Sequence, residues 1–268
     1  MGGTMGRPQR RRHEGWQGWD EYAPFYDWEN ARTIGRADVP FWTDLARLSG
    51  GPVLELGCGT GRVLVPVARA GVAAVGIDRS EPMLARARAR IRRAAATSRA
   101  HLVRGDIRSL PFGRRQPFPL VMAPYGILQS LVRESDLSAT LASVAAVLPR
   151  GGLFGIDLVP DLPAWNEYER QLRLHGPRDR AGGSVMLVET VRQDRRRRLT
   201  VFEQEYVERR GAAATRRRFS LVFRTLSIRQ MTRRLSNAGF SVRAVLGDYD
   251  GRPWDARAEV WVILAERR

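Results

Sequence analysis

A glycine-rich turn between an apolar segment and a helical segment constrains the fold of this chain most strongly. Residues 52–56 are short and apolar, which predicts a buried strand, and they lead directly into Gly57, Gly59 and Gly61. Glycine lets the backbone turn sharply and lets a ligand approach the main chain closely. The following segment, residues 61–70, is predicted to be a helix. A strand, a glycine turn and a helix in this order are typical of α/β folds that bind ligands.

The alternation of strands and helices continues as far as residue 159. Further strands are predicted at 72–77, 101–104, 120–123 and 153–159, and further helices at 81–95 and 135–148. Five buried strands separated by helices indicate a parallel sheet covered on both faces. Right-handed crossovers then produce a doubly wound, Rossmann-like α/β architecture. Segments 241–246 and 258–265 are expected to rejoin this sheet, which makes it seven-stranded and mostly parallel.

The pattern changes after residue 160. A helix is predicted at 163–173, followed by strands at 185–191, 199–207 and 217–226 with partial alternation of apolar and polar residues. This pattern indicates an inserted antiparallel β meander. We therefore expect a disordered tail (1–18) and a core with an N-terminal lid (19–159 and 227–268). An inserted lobe (160–226) is expected to cover the active site.

Acidic residues stand at the ends of three successive predicted strands. Glu55 lies near the end of the first, Asp78 ends the second and Asp106 follows the third. The carboxyl ends of parallel strands meet at the sheet edge where open α/β folds bind ligands. Asp78 is placed to accept hydrogen bonds from ribose hydroxyls, and Asp106 from an adenine amino group. The alternatives are a helix cap for Asp78 and a turn residue for Asp106.

Residues 52–159 resemble the class I S-adenosylmethionine-dependent methyltransferases. The matching segments are Val53–Gly61, Gly76–Ser80 with Met83, Gly105–Ile107 and Pro149–Gly152. The resemblance implies S-adenosylmethionine as cofactor, with Gly57 and Gly59 near its amino acid part and Asp78, Met83 and Asp106 near its nucleoside. The predicted cofactor-binding residues are Tyr26, Arg36, Glu55, Gly57, Cys58, Gly59, Asp78, Arg79, Met83, Gly105, Asp106, Ile107 and Ala123. Plain core packing is the alternative for Met83, and a small filler residue is the alternative for Cys58.

The N-terminal region resembles the lid of a narrower group, the small-molecule methyltransferases that include the sugar N,N-dimethyltransferases. The similarity lies in Tyr22-x-x-x-Tyr26-Asp27 and in Gly35-Arg36-x-Asp38. It implies that Tyr26 and Arg36 contact the cofactor, the arginine facing its carboxylate. Aromatic packing of an N-terminal helix is the alternative.

The segment after the fourth strand, Ala123–Gln129, is where we expect the methyl acceptor. Tyr125 and Gln129 are the candidate catalytic residues, and no catalytic metal is expected. Amine methyltransferases of nucleic acids carry Asn/Asp-Pro-Pro-Tyr here. Ala123-Pro124-Tyr125 lacks that polar first residue, which disfavours adenine methylation. Sugar dimethyltransferases often place a histidine in this region, and its absence puts an amino-sugar acceptor in doubt.

Composition bears mainly on partners. The chain carries a formal net charge of +17 from 45 arginines and no lysine, and its arginines are widely spread, which favours a solvated surface over a nucleic-acid-binding one. We expect a cytoplasmic monomer or homodimer with no membrane span, methylating N or O of a small molecule by direct displacement. The alternatives are a tRNA or rRNA methyltransferase and a non-catalytic cofactor-binding protein. Six aromatic residues are candidates for the acceptor pocket: Trp165, Tyr168, Phe202, Tyr206, Tyr249 and Trp254.

Overall fold

A computed structural model describes residues 18–33, 37–113, 118–159, 166–178, 182–258 and 260–268. Its helices are α1 (Trp19–Thr33), α2 (Asp38–Leu48), α3 (Leu64–Arg69), α4 (Glu81–Arg93), α5 (Glu134–Val147) and α6 (Ile228–Asn237). Its first five strands are β1 (Val53–Leu56), β2 (Ala74–Asp78), β3 (Ala100–Arg104), β4 (Leu120–Ala123) and β5 (Leu153–Leu158). The others are β6 (Tyr168–Pro177), β7 (Ser184–Asp194), β8 (Leu199–Arg210), β9 (Ala213–Arg224), β10 (Phe240–Leu246) and β11 (Trp261–Arg267).

The larger sheet has seven strands in the order β10-β11-β5-β4-β1-β2-β3. Strands β1 to β5 pair in parallel, whereas β11 pairs antiparallel with both β5 and β10. The predicted doubly wound α/β fold with a seven-stranded, mostly parallel sheet is therefore confirmed. Chain order reverses between β1 and β4, and such a reversal opens a crevice at the carboxyl ends of the strands.

Alternate residues of the central strands pack on opposite faces of this sheet. Leu54 and Leu56 join a cluster with α5 and α6, while Val53, on the other face, joins a cluster with α2, α3 and α4. All four residues of β1 are buried, because helices cover both faces. This double covering holds the strand that carries the glycine turn in a fixed position.

The second sheet is the predicted meander, with strands in the order β6-β7-β8-β9. Its strands extend further than the apolar pattern indicated, and a fourth strand precedes them. The predicted helix at 163–173 is wrong where it overlaps β6, because residues from Tyr168 onward pair antiparallel with β7. Two register shifts interrupt that pairing, after Tyr168 and after Leu172. Such irregularities disturb the two-residue period by which a strand is identified in sequence.

Helix α1 lies against the second sheet, so that lid and insertion form one layer. Phe25 is fully buried and stacks on Tyr206 with ring centroids 4.2 Å apart. The indole of Trp28 donates a hydrogen bond of 2.9 Å to the carbonyl oxygen of Pro177. Within the part of the chain that the structure describes, no helix is both long and apolar enough to cross a membrane.

Candidate active site

The glycine turn follows β1 and meets the end of β2. Gly57, Gly59 and Gly61 all have positive φ, a region that residues with a side chain rarely adopt. A Cβ on Gly57 would lie 2.5 Å from Ile127, so packing also demands glycine there. A Cβ on Gly59 would meet nothing closer than 3.9 Å, so the space above Gly59 is open to a ligand.

Asp78, the last residue of β2, holds the turn in place. One carboxylate oxygen accepts the Gly59 amide at 2.8 Å and the other accepts the Ser80 amide at 2.9 Å. Burial raises the pKa of this carboxyl, and the backbone hydrogen bonds partly oppose that shift. Each carboxylate oxygen keeps further acceptor capacity, so Asp78 can still take two hydroxyl donors of a ligand.

Glu55 is buried beneath the turn, and its Oε2 has no hydrogen-bond partner among the described residues. Burial raises the pKa of this carboxyl to about 8, although the positive charge of Arg62 opposes the shift. Arg62 itself forms a bidentate ion pair with Asp38, at 2.5 and 2.8 Å. A carboxyl with a pKa of about 8 is mostly protonated at neutral pH, so Glu55 adds little negative charge beneath the turn.

Asp106 is already paired within the protein. Arg108 donates to both of its carboxylate oxygens, and Arg79 approaches to 3.3 Å. Burial alone would raise the pKa of Asp106, but the hydrogen bonds and charge of Arg108 hold it below its ordinary value. An adenine amino group that contacts Asp106, as predicted, would therefore compete with the Arg108 guanidinium for the same carboxylate oxygens.

A cavity of about 920 Å³ connects the glycine turn to the lid and the second sheet. Eight of the predicted cofactor residues line it: Tyr26, Gly57, Gly59, Asp78, Arg79, Met83, Asp106 and Ile107. Four others do not line the cavity, namely Glu55, Cys58, Gly105 and Ala123, and Arg36 lies outside the described residues. Cys58 is buried against Gly76, and burial raises the pKa of its thiol, as expected of an inert filler residue.

Tyr125 stands on the cavity wall with a positive φ of 63° and its ring below the guanidinium of Arg62, at 5.3 Å. The pKa of its hydroxyl is raised by burial and by the neighbouring Tyr26 and Glu29. A raised pKa keeps the phenol protonated at neutral pH. Tyr125 is thus suited to shape the cavity and to donate a hydrogen bond.

Gln129 also lines the cavity, but its amide is occupied. Its Nε2 donates to the Val159 carbonyl and its Oε1 accepts the Val159 amide, both at 2.9 Å. This pair of bonds ties the turn after β4 to the end of β5. The geometry favours a positioning role over the predicted catalytic one.

Asp157, near the end of β5, supports the same turn from behind. It accepts the Gly126 amide and the Tyr249 hydroxyl, both at 2.8 Å. Burial raises the pKa of this carboxyl to about 7. Of the aromatic residues predicted for the acceptor pocket, Tyr168 and Phe202 line the cavity. Tyr249 does not line it, and its hydroxyl instead donates a hydrogen bond to Asp157.

Comparison with known proteins agrees with this geometry. Residues 53–152 match the model of a methyltransferase domain. The chain is 28% identical over 256 residues to a cypemycin N-terminal methyltransferase from Streptomyces, covering 91% of this chain and 94% of that protein. The structure superposes on the sugar N-methyltransferase KedS8 from Streptoalloteichus with a TM-score of 0.73 and 18% identity, covering 91% and 92% of the chains. For the glycopeptide N-methyltransferase MtfA the TM-score is 0.55 and the identity 25%, over 86% and 96%.

Residues 53–152 form a methyltransferase domain, within a chain that has the class I S-adenosylmethionine-dependent methyltransferase fold. Its cofactor is S-adenosylmethionine, and the residues at the cavity fit that molecule. Asp78 offers acceptors for ribose hydroxyls, Met83 and Ile107 offer an apolar surface for a base, and the space over Gly59 is open.

The sequence analysis missed several polar residues of this methyltransferase. Arg62, Asp38 and Asp157 are buried or nearly so and support the site from below. A second group lines the cavity between lid and meander, namely Glu29, Glu189 and Gln204. Asp157, Glu189 and Gln204 could have been noticed as polar residues within otherwise apolar strands. That pattern does not indicate which face of the sheet each side chain occupies.

Proposed function

We propose that this methyltransferase transfers a methyl group from S-adenosylmethionine to a nitrogen of a small-molecule acceptor. The observation that carries the proposal is the continuous cavity, which joins the glycine turn to a chamber between lid and meander. Its volume of about 920 Å³ is within the range of small-molecule sites. We take residues 160–226, the inserted lobe, to cover this chamber.

Nitrogen is preferred over oxygen because the compared proteins are named for methylating amino groups. One is named for a peptide N-terminus, one for a sugar and one for a glycopeptide. Those names describe three different acceptor skeletons, so they support nitrogen as the accepting atom and leave the skeleton open.

Bound S-adenosylmethionine supplies an electrophilic methyl group on a sulfonium sulfur. A neutral acceptor nitrogen would take this methyl group with its lone pair while the carbon–sulfur bond breaks with its electrons on sulfur, which would give S-adenosylhomocysteine and a methylated ammonium that releases its proton to solvent. Such a displacement depends on alignment and exclusion of water. We assign alignment to Tyr125 and to the Asp157 and Gln129 contacts that hold its turn, and exclusion of water to α1 and the second sheet.

The test is turnover of labelled S-adenosylmethionine with a panel of amines, amino sugars and short peptides, each paired with its hydroxyl or N-acetyl counterpart. Labelled product from amines, with stoichiometric S-adenosylhomocysteine, is the expected result. Product from hydroxyl compounds alone would overturn nitrogen as the acceptor atom. Cofactor binding without turnover of any acceptor would favour a non-catalytic role.

A further inference from the structure

Two carboxylates face one another across the chamber between lid and meander. Glu29 lies on α1 and Glu189 on β7, and Gln204 of β8 bridges them. The Gln204 amide donates to Glu189 at 2.9 Å and to Glu29 at 3.3 Å. All three residues line the cavity that reaches the glycine turn. We call them the carboxylate bridge.

The tyrosines around the bridge hold its carboxylates in place. Tyr22 and Tyr206 both donate to Oε2 of Glu29, and Tyr168 donates to Oε1 of Glu189. Glu29 Oε1 receives only the long Gln204 contact among the hydrogen bonds of the described residues. These carboxylates are pre-oriented and retain acceptor capacity toward the cavity.

An independent observation shows that one acceptor atom of the bridge has no donor. The side chain of Gln204 is only 4% exposed, yet its Oε1 has no hydrogen-bond partner in the described structure. A buried acceptor without a donor is unfavourable, because it has lost its hydrogen bonds to water and gained none in the protein. Two carboxylates and an unpaired amide oxygen form a site composed of acceptors, which suits a ligand rich in N–H donors.

The cavity does not share the strong positive charge of the rest of the chain. The cavity is lined by six carboxylates and five arginines, whereas the whole chain carries +17. Arg173 approaches Glu189 to 3.6 Å but is half-exposed, so it neutralises the pair incompletely. Aromatic rings lie on the same wall and can pack against a cation through their faces: Trp19, Tyr22, Tyr168, Phe202 and Phe223.

We propose that Glu29, Gln204 and Glu189 bind the protonated amine of the acceptor and so determine the enzyme's preference for cationic amines. This inference rests on the proposed N-methylation and goes beyond it, because it assigns the residues that choose the acceptor. The bound ammonium must lose a proton before its nitrogen can accept a methyl group. The raised pKa of Glu29, which follows mainly from burial, makes that carboxylate a suitable proton acceptor.

The probes are benzylamine and benzyl alcohol, which share a skeleton and differ in charge at neutral pH. Binding of each to the full chain saturated with S-adenosylhomocysteine is measured by saturation-transfer NMR. We expect the amine to bind at least about tenfold more tightly than the alcohol. Equal affinity, or no detectable amine binding, would overturn the proposal, and this comparison needs only the wild-type protein.

The variant is the double substitution Glu29→Gln with Glu189→Gln, which keeps side-chain shape and removes both charges. It should lower benzylamine affinity to the level of benzyl alcohol and leave alcohol binding unchanged. The matched control is Glu203→Gln, an exposed residue of the same strand as Gln204, which should change neither. A preference for the amine that survives in the double variant would contradict the assignment.

The two proposals fail separately. Loss of S-adenosylhomocysteine binding or of all methyl transfer by the wild type counts against the proposed function. Intact cofactor binding and methyl transfer, with no effect of the double substitution on amine selectivity, counts against the carboxylate bridge alone.

Discussion

At the scale of single residues, Asp78 both fixes the shape of the glycine turn and offers acceptors to the ligand predicted there. Its two oxygens accept the backbone amides of Gly59 and Ser80, and each can accept one donor more. A ligand that brings two hydroxyls therefore finds acceptors already oriented by the backbone. The same residue would act as a helix cap in a protein without a cofactor, so binding has to be measured.

Asp78→Ala should weaken S-adenosylhomocysteine binding by at least about tenfold, since it removes hydrogen bonds to the ribose and frees the turn. Isothermal titration calorimetry on the purified chain measures the change. The control is Asp44→Ala, which removes an exposed carboxylate of α2. Equal affinities of the wild type and Asp78→Ala would remove Asp78 from the site.

Asp157 gives the second prediction at this scale, a dependence of stability on pH. Its pKa of about 7 in the folded protein exceeds the value near ~3.9 of an unfolded aspartate. The folded state therefore keeps a proton that the unfolded chain releases. The stabilisation is fully present below about pH 4 and is lost as the pH rises through about 7.

Asp157→Asn mimics the protonated carboxyl. It should reduce the loss in free energy of unfolding between pH 4 and pH 8 by up to about 4 kcal/mol. Denaturant unfolding of both proteins at several pH values from 4 to 8 measures it. Burial also raises the pKa of Glu55, but this residue is present in the wild type and in the variant. Its contribution therefore cancels when the two stability curves are subtracted. Parallel stability curves for the two proteins would contradict the prediction.

At the scale of elements, the lid helix α1 depends on the inserted sheet. Its buried face packs Phe25 against Tyr206 and Phe219, and Trp28 reaches β6 through its indole. Asp27 links the opposite side of α1 to the core, accepting from Thr60 at 2.7 Å and from Arg90 at 2.8 Å. The helix is thus a connection between the glycine turn and the meander.

Phe25→Ala should release α1 from the second sheet at a cost of about 3–5 kcal/mol. Hydrogen exchange is expected to rise in α1 and in β7 to β9, while β1, β2 and β4 stay protected. Leu48→Ala, at a residue that is 85% exposed, serves as the control. A uniform loss of protection across both sheets would show that the lid and insertion do not form a separate layer.

At the scale of the whole molecule, the positive charge lies apart from the cavity. Carboxylates and arginines nearly balance along the cavity wall. Several surface arginines are used in ion pairs, as Arg88 is with Glu81 and Arg243 is with Glu266. A net charge of +17 still attracts polyanions without sequence preference. The charge and the acceptor chemistry can therefore be tested independently.

RNA binding should weaken with salt as it does for an unrelated basic protein, and added RNA should leave methyl transfer to an amine unchanged. Filter binding between about 50 and 200 mM salt, with turnover measured in parallel, checks both statements. Tight RNA binding at physiological salt that competes with the amine would favour the RNA methyltransferase alternative.

Local pattern was sufficient to predict the strands and the glycine turn on which the predicted cofactor residues lie. Strands, helices and the glycine turn each have a short-range signature, and parallel strands bring their carboxyl ends to one edge of the sheet. Strand order along the chain was therefore enough to place Glu55, Asp78 and Asp106 at a common edge. The predicted helix at 163–173 failed because irregular pairing of β6 with β7 hides the strand period.

The acceptor side depends on tertiary structure. Glu29 and Gln204 are 175 residues apart in the chain, and they meet because α1 packs on an inserted sheet whose placement no local pattern indicates. Gln129 was predicted from its position, but only the fold showed that Val159 occupies its amide. The sequence thus determined the strands and the glycine turn of the proposed cofactor site. Long-range packing decided which charged groups surround the acceptor, because burial and pairing depend on neighbours distant along the chain.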